Sequence, residues 1–177
     1  FLKSLAIYLN QHPHKKTIIE VHVYGSDLDS LSNEIVKHEQ LEKTIQLHGR
    51  LEYDPISKLS GREQVLLRMQ TADFLLLTHG EIPDCSEYIP SKVYEYFWAK
   101  RPVFGMTYKN PQLDSLILER NGYIAESTDI QQIINNIERS VNDWETNNIT
   151  TTFIQPIGVD TATHIIIEKA RSLTNEN

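Results

Sequence analysis

The stretch that decides the fold is TADFLLLTHGEIPDCSEYIPSKVYEYFWAKRPVFGMT, residues 71–107. It opens with an apolar run that predicts a buried strand ending at a His-Gly pair. A polar loop follows, and then a helical pattern that begins at Pro90, where a first-turn proline is well tolerated. The apolar run after this helix predicts another strand. A strand, a helix and a strand in this order indicate a parallel β-α-β unit.

The same alternation extends in both directions along the chain. Further strands are predicted at residues 17–25, 45–49 and 122–126. Further helices are predicted over about residues 2–11, 28–40, 56–71, 110–122, 129–145 and 161–173, from the spacing of their apolar residues. Asp27 is predicted to cap the second of these helices, and residues 151–158 and the polar tail 174–177 are predicted to be irregular. The whole pattern predicts an α/β domain with a doubly wound, Rossmann-like parallel sheet.

Composition and charge narrow the classes of partner and compartment. The 177 residues carry a formal net charge of −7, which argues against a nucleic acid polymer because such partners need a concentrated basic surface. Cys85 is the only cysteine, so an internal disulfide is impossible and a cytoplasmic location is predicted. The sequence opens inside a helical pattern, FLKSLAIYLN, and we interpret the chain as a fragment that lacks its own first strand.

Ligands of doubly wound sheets lie outside the carboxyl ends of the strands. This rule selects three loops as the candidate site: residues 24–29, 48–54 and 78–90. If the helix in the third region begins at Pro90, the amides of Ser91, Lys92 and Val93 are free to receive a phosphate. The Ser91 hydroxyl and the Lys92 ammonium add a further donor and a positive charge.

Two glutamates complete this pattern. Glu95 lies four residues after Ser91 on the same helical face, about 6 Å further along the axis, which approximates the span from a diphosphate to its ribose. A carboxylate accepts hydrogen bonds from both hydroxyls of a vicinal diol and therefore suits a ribose. Glu87 lies in the loop before the helix, where it is placed to accept from hydroxyls of a transferred sugar.

The run PSKVYEYFWAKRPVF, together with the spacing of Glu87 and Glu95, resembles the group 1 (family 4) retaining glycosyltransferases. The segments VYGSD, LHGRLEYD, QTADFLLLTHG and ERNGYIAES also resemble family segments in the same order, so the likeness covers nearly the whole chain. The chain departs from the family where YIPSK replaces the Gly-rich stretch between the two glutamates. A basic pair that the family places after the first strand of this domain is also missing here.

The resemblance implies the C-terminal, donor-binding half of a GT-B enzyme, with a nucleotide diphosphate sugar as donor substrate and no cofactor or metal. It implies that Glu95 holds the ribose, that Glu87 is the catalytic residue addressing the sugar, and that Gly25, Arg50 and Leu51 line the nucleotide site. The acceptor site is then expected on an N-terminal domain, and any peripheral membrane association only through that half. Because the facing domain is missing, the isolated domain is expected to be inactive.

Two other functions stay open at this stage. One is a nucleotide-sugar epimerase of the same fold, although additional acid and base residues for it are not evident. The other is a non-catalytic GT-B-like domain that only holds a partner. The scattered histidines show no metal-ligand spacing, and we expect His79 to be an ordinary residue at a strand end. Tyr94, Phe97 and Trp98 have the spacing of core residues.

Overall fold

A computed structural model describes residues 1–154 and 158–174. The predictions for residues 155–157 and 175–177 lie outside the described residues. The strands are β1 (Val21–Tyr24), β2 (Ile45–Gly49), β3 (Leu75–Thr78), β4 (Val103–Thr107) and β5 (Tyr123–Glu126). The helices are α1 (Leu2–Gln11), α2 (Ser30–His38), α3 (Gly61–Thr71), α4 (Lys92–Trp98), α5 (Pro111–Leu118), α6 (Ile130–Glu145) and α7 (Val159–Thr174).

All the strand pairs of these residues are parallel, and they form two small sheets. The first sheet pairs β1 with β2, and the second has the order β3-β4-β5. Each strand is followed along the chain by a helix, as parallel connections require. The predicted α/β class with parallel strands is therefore confirmed.

Two hydrophobic clusters lie on opposite faces of the second sheet. Successive residues of a strand point to opposite faces, so Phe104 and Met106 join one cluster while Val103 joins the other. The first cluster also contains side chains of α1, α2 and α6, together with residues of β1 and β2. The second cluster contains side chains of α4 and α5. Both sheets therefore pack against one hydrophobic core, which is the first cluster and includes the side chains of α1.

Local hydrogen bonds explain where the helices begin. Asp29, rather than the predicted Asp27, caps α2, because its carboxylate accepts from the Ser32 amide at 2.9 Å. Helix α3 starts only at Gly61, later than predicted, because Ser60 and Glu63 form a reciprocal capping box there. Before it, the Asp54 carboxylate accepts from two backbone amides of a tight turn.

One further expectation differs from the structure. Strand β1 is shorter than predicted, because a 3₁₀ turn spans Pro13–Thr17 before it. Helix α7 is largely exposed, including several isoleucines on its surface. In residues 1–154 and 158–174, no helix has both the length and the apolar character that crossing a bilayer requires.

Candidate functional site

The loops after β1 and β2 are joined at the carboxyl ends of these strands. Gly25 has a φ of 104° and Gly49 a φ of 63°, backbone conformations that favour glycine. The Gly25 amide donates to the Gly49 carbonyl at 2.8 Å. This bond places Gly25 beside the loop that carries Arg50 and Leu51. The family resemblance implied that Gly25, Arg50 and Leu51 belong to one site.

The same end of β1 and β2 carries a stack of aromatic rings that was not foreseen from the sequence. The rings of Tyr24 and His48 are stacked with centroids 4.5 Å apart. A His48 ring nitrogen lies 2.8 Å from a ring nitrogen of His22, and the other His22 nitrogen is 3.1 Å from the Glu20 carboxylate. Residues two apart on a strand share a face, and that spacing of His22 and Tyr24 is the signal that could have revealed the stack.

The start of α3 packs directly against the Arg50–Leu51 loop. A Cβ atom built on Gly61 would lie only 1.8 Å from the Leu51 carbonyl oxygen, so only glycine permits this approach. The Gln64 side chain donates to the Glu52 carbonyl at 2.7 Å and to the Leu59 carbonyl at 3.2 Å. The loop is therefore held in place by the first turn of α3.

An ion pair connects α3 to the helix that carries Glu95. The Arg62 guanidinium donates to a carboxylate oxygen of Glu95 at 2.9 Å. The Glu95 side chain remains 40% exposed, so a ligand in solution can reach it. Through this contact the structure brings Glu95 of α4 next to the helix that fixes Leu51.

The start of α4 corrects one prediction. The helix begins at Lys92 rather than Pro90, and the Val93 amide donates to the Pro90 carbonyl at 3.0 Å. The Val93 amide is therefore not free for a phosphate, because a 3₁₀-type bond closes the first turn. The Val93 side chain is completely buried in the core. Ser91 and Lys92 are exposed, and the Ser91 hydroxyl makes no capping bond.

The loop between β3 and α4 is anchored by one buried side chain. The Asn110 amide group donates to the Cys85 carbonyl at 3.0 Å and to the Tyr88 carbonyl at 2.9 Å. Its side-chain oxygen accepts from the Leu113 amide at 3.0 Å and so caps α5. Glu87 lies between the two anchored carbonyls and is exposed. Within residues 1–154 and 158–174, no hydrogen bond joins the Glu87 side chain to the other predicted site residues.

The position of His79 at the end of β3 was predicted from the sequence, but its burial was not. It follows β3 directly and is only 6% exposed, yet among the described residues neither ring nitrogen has a hydrogen-bond partner. Burial lowers the pKa of His79, and the charge of Asp114 opposes that shift. Its ring packs edge-on against Tyr88, with centroids 5.1 Å apart. A buried imidazole without partners is unusual and marks this strand end as a place where a polar ligand atom would be stabilised.

The structure also shows which other side chains near the site are buried and which are exposed. Cys85 is buried, and its thiol lies 3.7 Å from the Tyr88 hydroxyl, a contact that raises the pKa of Tyr88. Phe97 is in the core as predicted, but Tyr94 and Trp98 are 43% and 59% exposed, so the prediction for these two was wrong. Helix α4 presents a narrower face to the core than their spacing indicated.

The charges around these loops are mixed. Arg50 is exposed and lies 3.5 Å from the Glu52 carboxylate, a surface pair that contributes little to stability. Among the residues that the structure describes, no three His, Cys, Asp or Glu side chains are grouped to hold a metal ion. Comparison of this chain with protein-family models, with curated proteins and with solved structures finds no match.

Proposed function

We propose that this chain is the nucleotide-sugar-binding domain of a retaining glycosyltransferase, with the doubly wound sheet of the C-terminal half of a GT-B enzyme. One observation carries the proposal. A continuous series of contacts runs from Gly25 through the Arg50–Leu51 loop and the start of α3 to Glu95. Residues that the resemblance assigns to one nucleotide site are thus linked by contacts that begin at the carboxyl ends of β1 and β2, where ligands of such sheets bind.

The chemistry of Glu95 fits a ribose. A carboxylate has two oxygens with about four acceptor positions, and Arg62 is bonded to only one of these oxygens. The carboxylate is therefore oriented by the guanidinium and still able to accept from two vicinal hydroxyls. The Arg62 guanidinium also places a positive charge near that ribose, where it would attract the adjacent diphosphate.

The remaining groups fit the other parts of the donor. The stack of the half-buried Tyr24 and the exposed His48 lies beside the Arg50–Leu51 loop and offers a flat aromatic surface to a base. Lys92 and the Ser91 hydroxyl are exposed at the start of α4 and supply donors for a diphosphate. Glu87, in the loop before α4, is placed to accept from the sugar and to stabilise positive charge on its ring during transfer.

Catalysis in this proposal needs a second domain. The acceptor would bind there, and the cleft between the two domains would exclude water from the reaction. We therefore expect the isolated chain to bind nucleotides weakly and to transfer no sugar. Measurable transfer by this chain alone would show that the catalytic groups have been assigned to the wrong residues.

The test is calorimetric titration of the chain with UDP, GDP and ADP and with their glucose conjugates. We expect one nucleotide class to bind, and Glu95→Ala to weaken it by about 1.5–3 kcal/mol, the contribution of hydrogen bonds to a charged group. Glu138→Gln on α6 is the matched control, because that helix packs on the opposite face from α4. Glu95→Ala removes only a surface ion pair, so the fold should be retained.

Glu87→Gln separates the sugar from the nucleotide. We expect it to leave binding of the nucleoside diphosphate nearly unchanged and to weaken binding of the glucose conjugate. Equal losses for both ligands would place Glu87 on the nucleotide instead. If none of the six ligands binds, or if Glu95→Ala binds as well as the unmodified chain, the proposed function is wrong.

A further inference from the structure

Helix α7 is exposed along nearly its whole length. Between Val159 and Leu173 every side chain is exposed except that of Ala162, which is half-buried. Most of the stability of a helix in a protein comes from packing its amphipathic face rather than from its own hydrogen bonds. The 16 residues of α7 therefore gain stability from a partner surface that covers their large aliphatic side chains. These side chains are 43–81% exposed: Val159, Ile165, Ile166, Ile167 and Leu173.

The apolar residues of α7 form one narrow stripe. Each residue of an α-helix is rotated by about 100° from the residue before it. With Ile166 taken as the centre, Val159 and Leu173 lie about 20° to either side. Ala162 and Ala170 lie about 40° to either side. The stripe is therefore about 80° wide, and the charged residues of α7 all lie outside it.

The stripe has the same spacing when it is read from either end of the helix. Its five members are separated by three, four, four and three positions. A two-fold axis beside Ile166 therefore exchanges Val159 with Leu173. The same axis exchanges Ala162 with Ala170, and these small residues let two helix backbones approach closely on both sides of Ile166. An isologous interface requires such symmetry, because one patch on each subunit contacts the identical patch on the other.

The charges at the two ends of α7 favour an antiparallel pair of such helices. Asp160 lies in the first turn and Arg171 in the last turn. In an antiparallel pair, the acidic first turn of each helix lies beside the basic last turn of the other, so the charges are complementary at both ends. Arg171 also donates to Glu168 of its own helix at 3.3 Å, and a guanidinium has several donors to share between two carboxylates. A parallel pair would instead bring like charges together at each end.

The same charges distinguish a second copy of the chain from a membrane surface. Helices that lie on anionic bilayers are rich in Lys and Arg on their polar face. The polar face of α7 has no such excess, because its acidic and basic residues are equal in number: Asp160 and Glu168 against Lys169 and Arg171. A protein surface that is apolar at its centre and carries both charges is therefore the better match for α7.

We propose that α7 is a homodimer interface, in which two copies of this chain pair their α7 helices in antiparallel orientation around a two-fold axis beside Ile166. The stripe of each copy covers the stripe of the other. Ile165 and Ile167 lie about 100° to either side of Ile166 and contribute to the margins. A single pair of 16-residue helices is a small interface, so we expect a dissociation constant of roughly micromolar magnitude. The inference uses no residue of the candidate nucleotide site and is independent of the proposed function.

The first test measures the oligomeric state by sedimentation velocity at about 1–200 µM protein, where we expect a monomer–dimer equilibrium. Ile166→Asp would place two carboxylates face to face at the axis, so we expect it to raise the dissociation constant at least about tenfold. The control is Thr161→Asp, which adds the same charge about 140° away from Ile166 and should leave the dissociation constant nearly unchanged. A chain that stays monomeric at every concentration, as it would if another protein or a membrane covers the stripe, would overturn the proposal. A dimer that Ile166→Asp leaves intact would overturn it as well.

The second test locates the interface without adding a charge to it. Ile166→Cys and, separately, Thr161→Cys are introduced in a Cys85→Ser background, which removes the one native thiol. Position 166 of one copy lies beside position 166 of the other across the proposed axis, close enough for a disulfide. On mild oxidation we expect Ile166→Cys to form a covalent dimer at least about tenfold faster than Thr161→Cys, because pairing raises the local concentration of the partner thiol. Equal rates for the two variants, or no covalent dimer from either, would contradict the proposed axis.

Discussion

Asn110 allows the anchoring of the Glu87 loop to be tested quantitatively. The side chain is 2% exposed and makes three hydrogen bonds, one that caps α5 and two that hold the carbonyls of Cys85 and Tyr88. Loss of an N-cap costs about 1 kcal/mol, and each neutral hydrogen bond contributes about 1 kcal/mol. Asn110→Ala should therefore lower the free energy of unfolding by about 3 kcal/mol. With a urea dependence of about 2 kcal/mol/M, the unfolding midpoint should fall by about 1.5 M.

The matched control is Asp129→Ala. Asp129 caps α6 by accepting from the Gln132 amide and anchors no distant loop through its side chain in the described structure. Its midpoint should fall by only about 0.5 M, the contribution of a cap alone. Both variants are measured by urea unfolding followed by circular dichroism at pH 7.5. Equal shifts for the two variants would refute the reasoning, because the two loop bonds of Asn110 would then contribute nothing.

Three further outcomes follow from single contacts. Gly61→Ala should lower the free energy of unfolding by about 2 kcal/mol or more in urea, because its Cβ would lie 1.8 Å from the Leu51 carbonyl oxygen; an unchanged midpoint would contradict this close approach. Burial lowers the pKa of His79 below its ordinary value of 6.5, so the stability that its neutral form contributes is complete above about pH 6.5 and is lost as the pH falls further. The urea unfolding midpoint should therefore change less between pH 7.5 and pH 5.5 in His79→Gln than in the unmodified chain. An equal change in both proteins would exclude His79 as the cause of the pH dependence of stability. Tyr123→Phe should lower the free energy of unfolding by about 2 kcal/mol, because the Tyr123 hydroxyl donates to the Asp143 carboxylate at 2.7 Å. Burial and, to a smaller extent, this hydrogen bond raise the pKa of Tyr123. An alkaline ultraviolet titration of the variant should therefore show one fewer tyrosine that ionises at high pH.

Much of the fold could be predicted because local patterns encode it. Alternating apolar runs and helical spacings gave every strand and helix in the correct order, since burial on a sheet or helix face repeats every two or about 3.6 residues. Boundaries were less predictable. Helix α3 begins at the Ser60–Glu63 capping box, although the apolar pattern extended the helix back towards residue 56. Asp29 and Asp27 are equally suitable caps by residue type, and only the backbone conformation selects Asp29.

The residues of the candidate site remain a prediction, and their contacts could not be predicted from the sequence. The strand-end rule selected the loops that contain Gly25, Arg50 and Leu51, and the family resemblance implied the role of these residues. Their connection to Glu95 depends on Arg62, however, which lies 33 residues earlier in the chain than its partner. No local pattern encodes such a pair, because its two members meet only when α3 and α4 pack. The same is true of His79, whose burial depends on the loop that folds over it.

The sequence by itself determined the parallel α/β class and the order of its elements. These depend on residue type and on spacing along the chain, which are complete before the chain folds. Only the tertiary structure decided that Val93 is a core residue whose amide is already used and that Asn110 anchors the Glu87 loop. These features arise from packing between segments that are distant in sequence. The contacts form only when those segments meet in the folded chain, so no single segment encodes them.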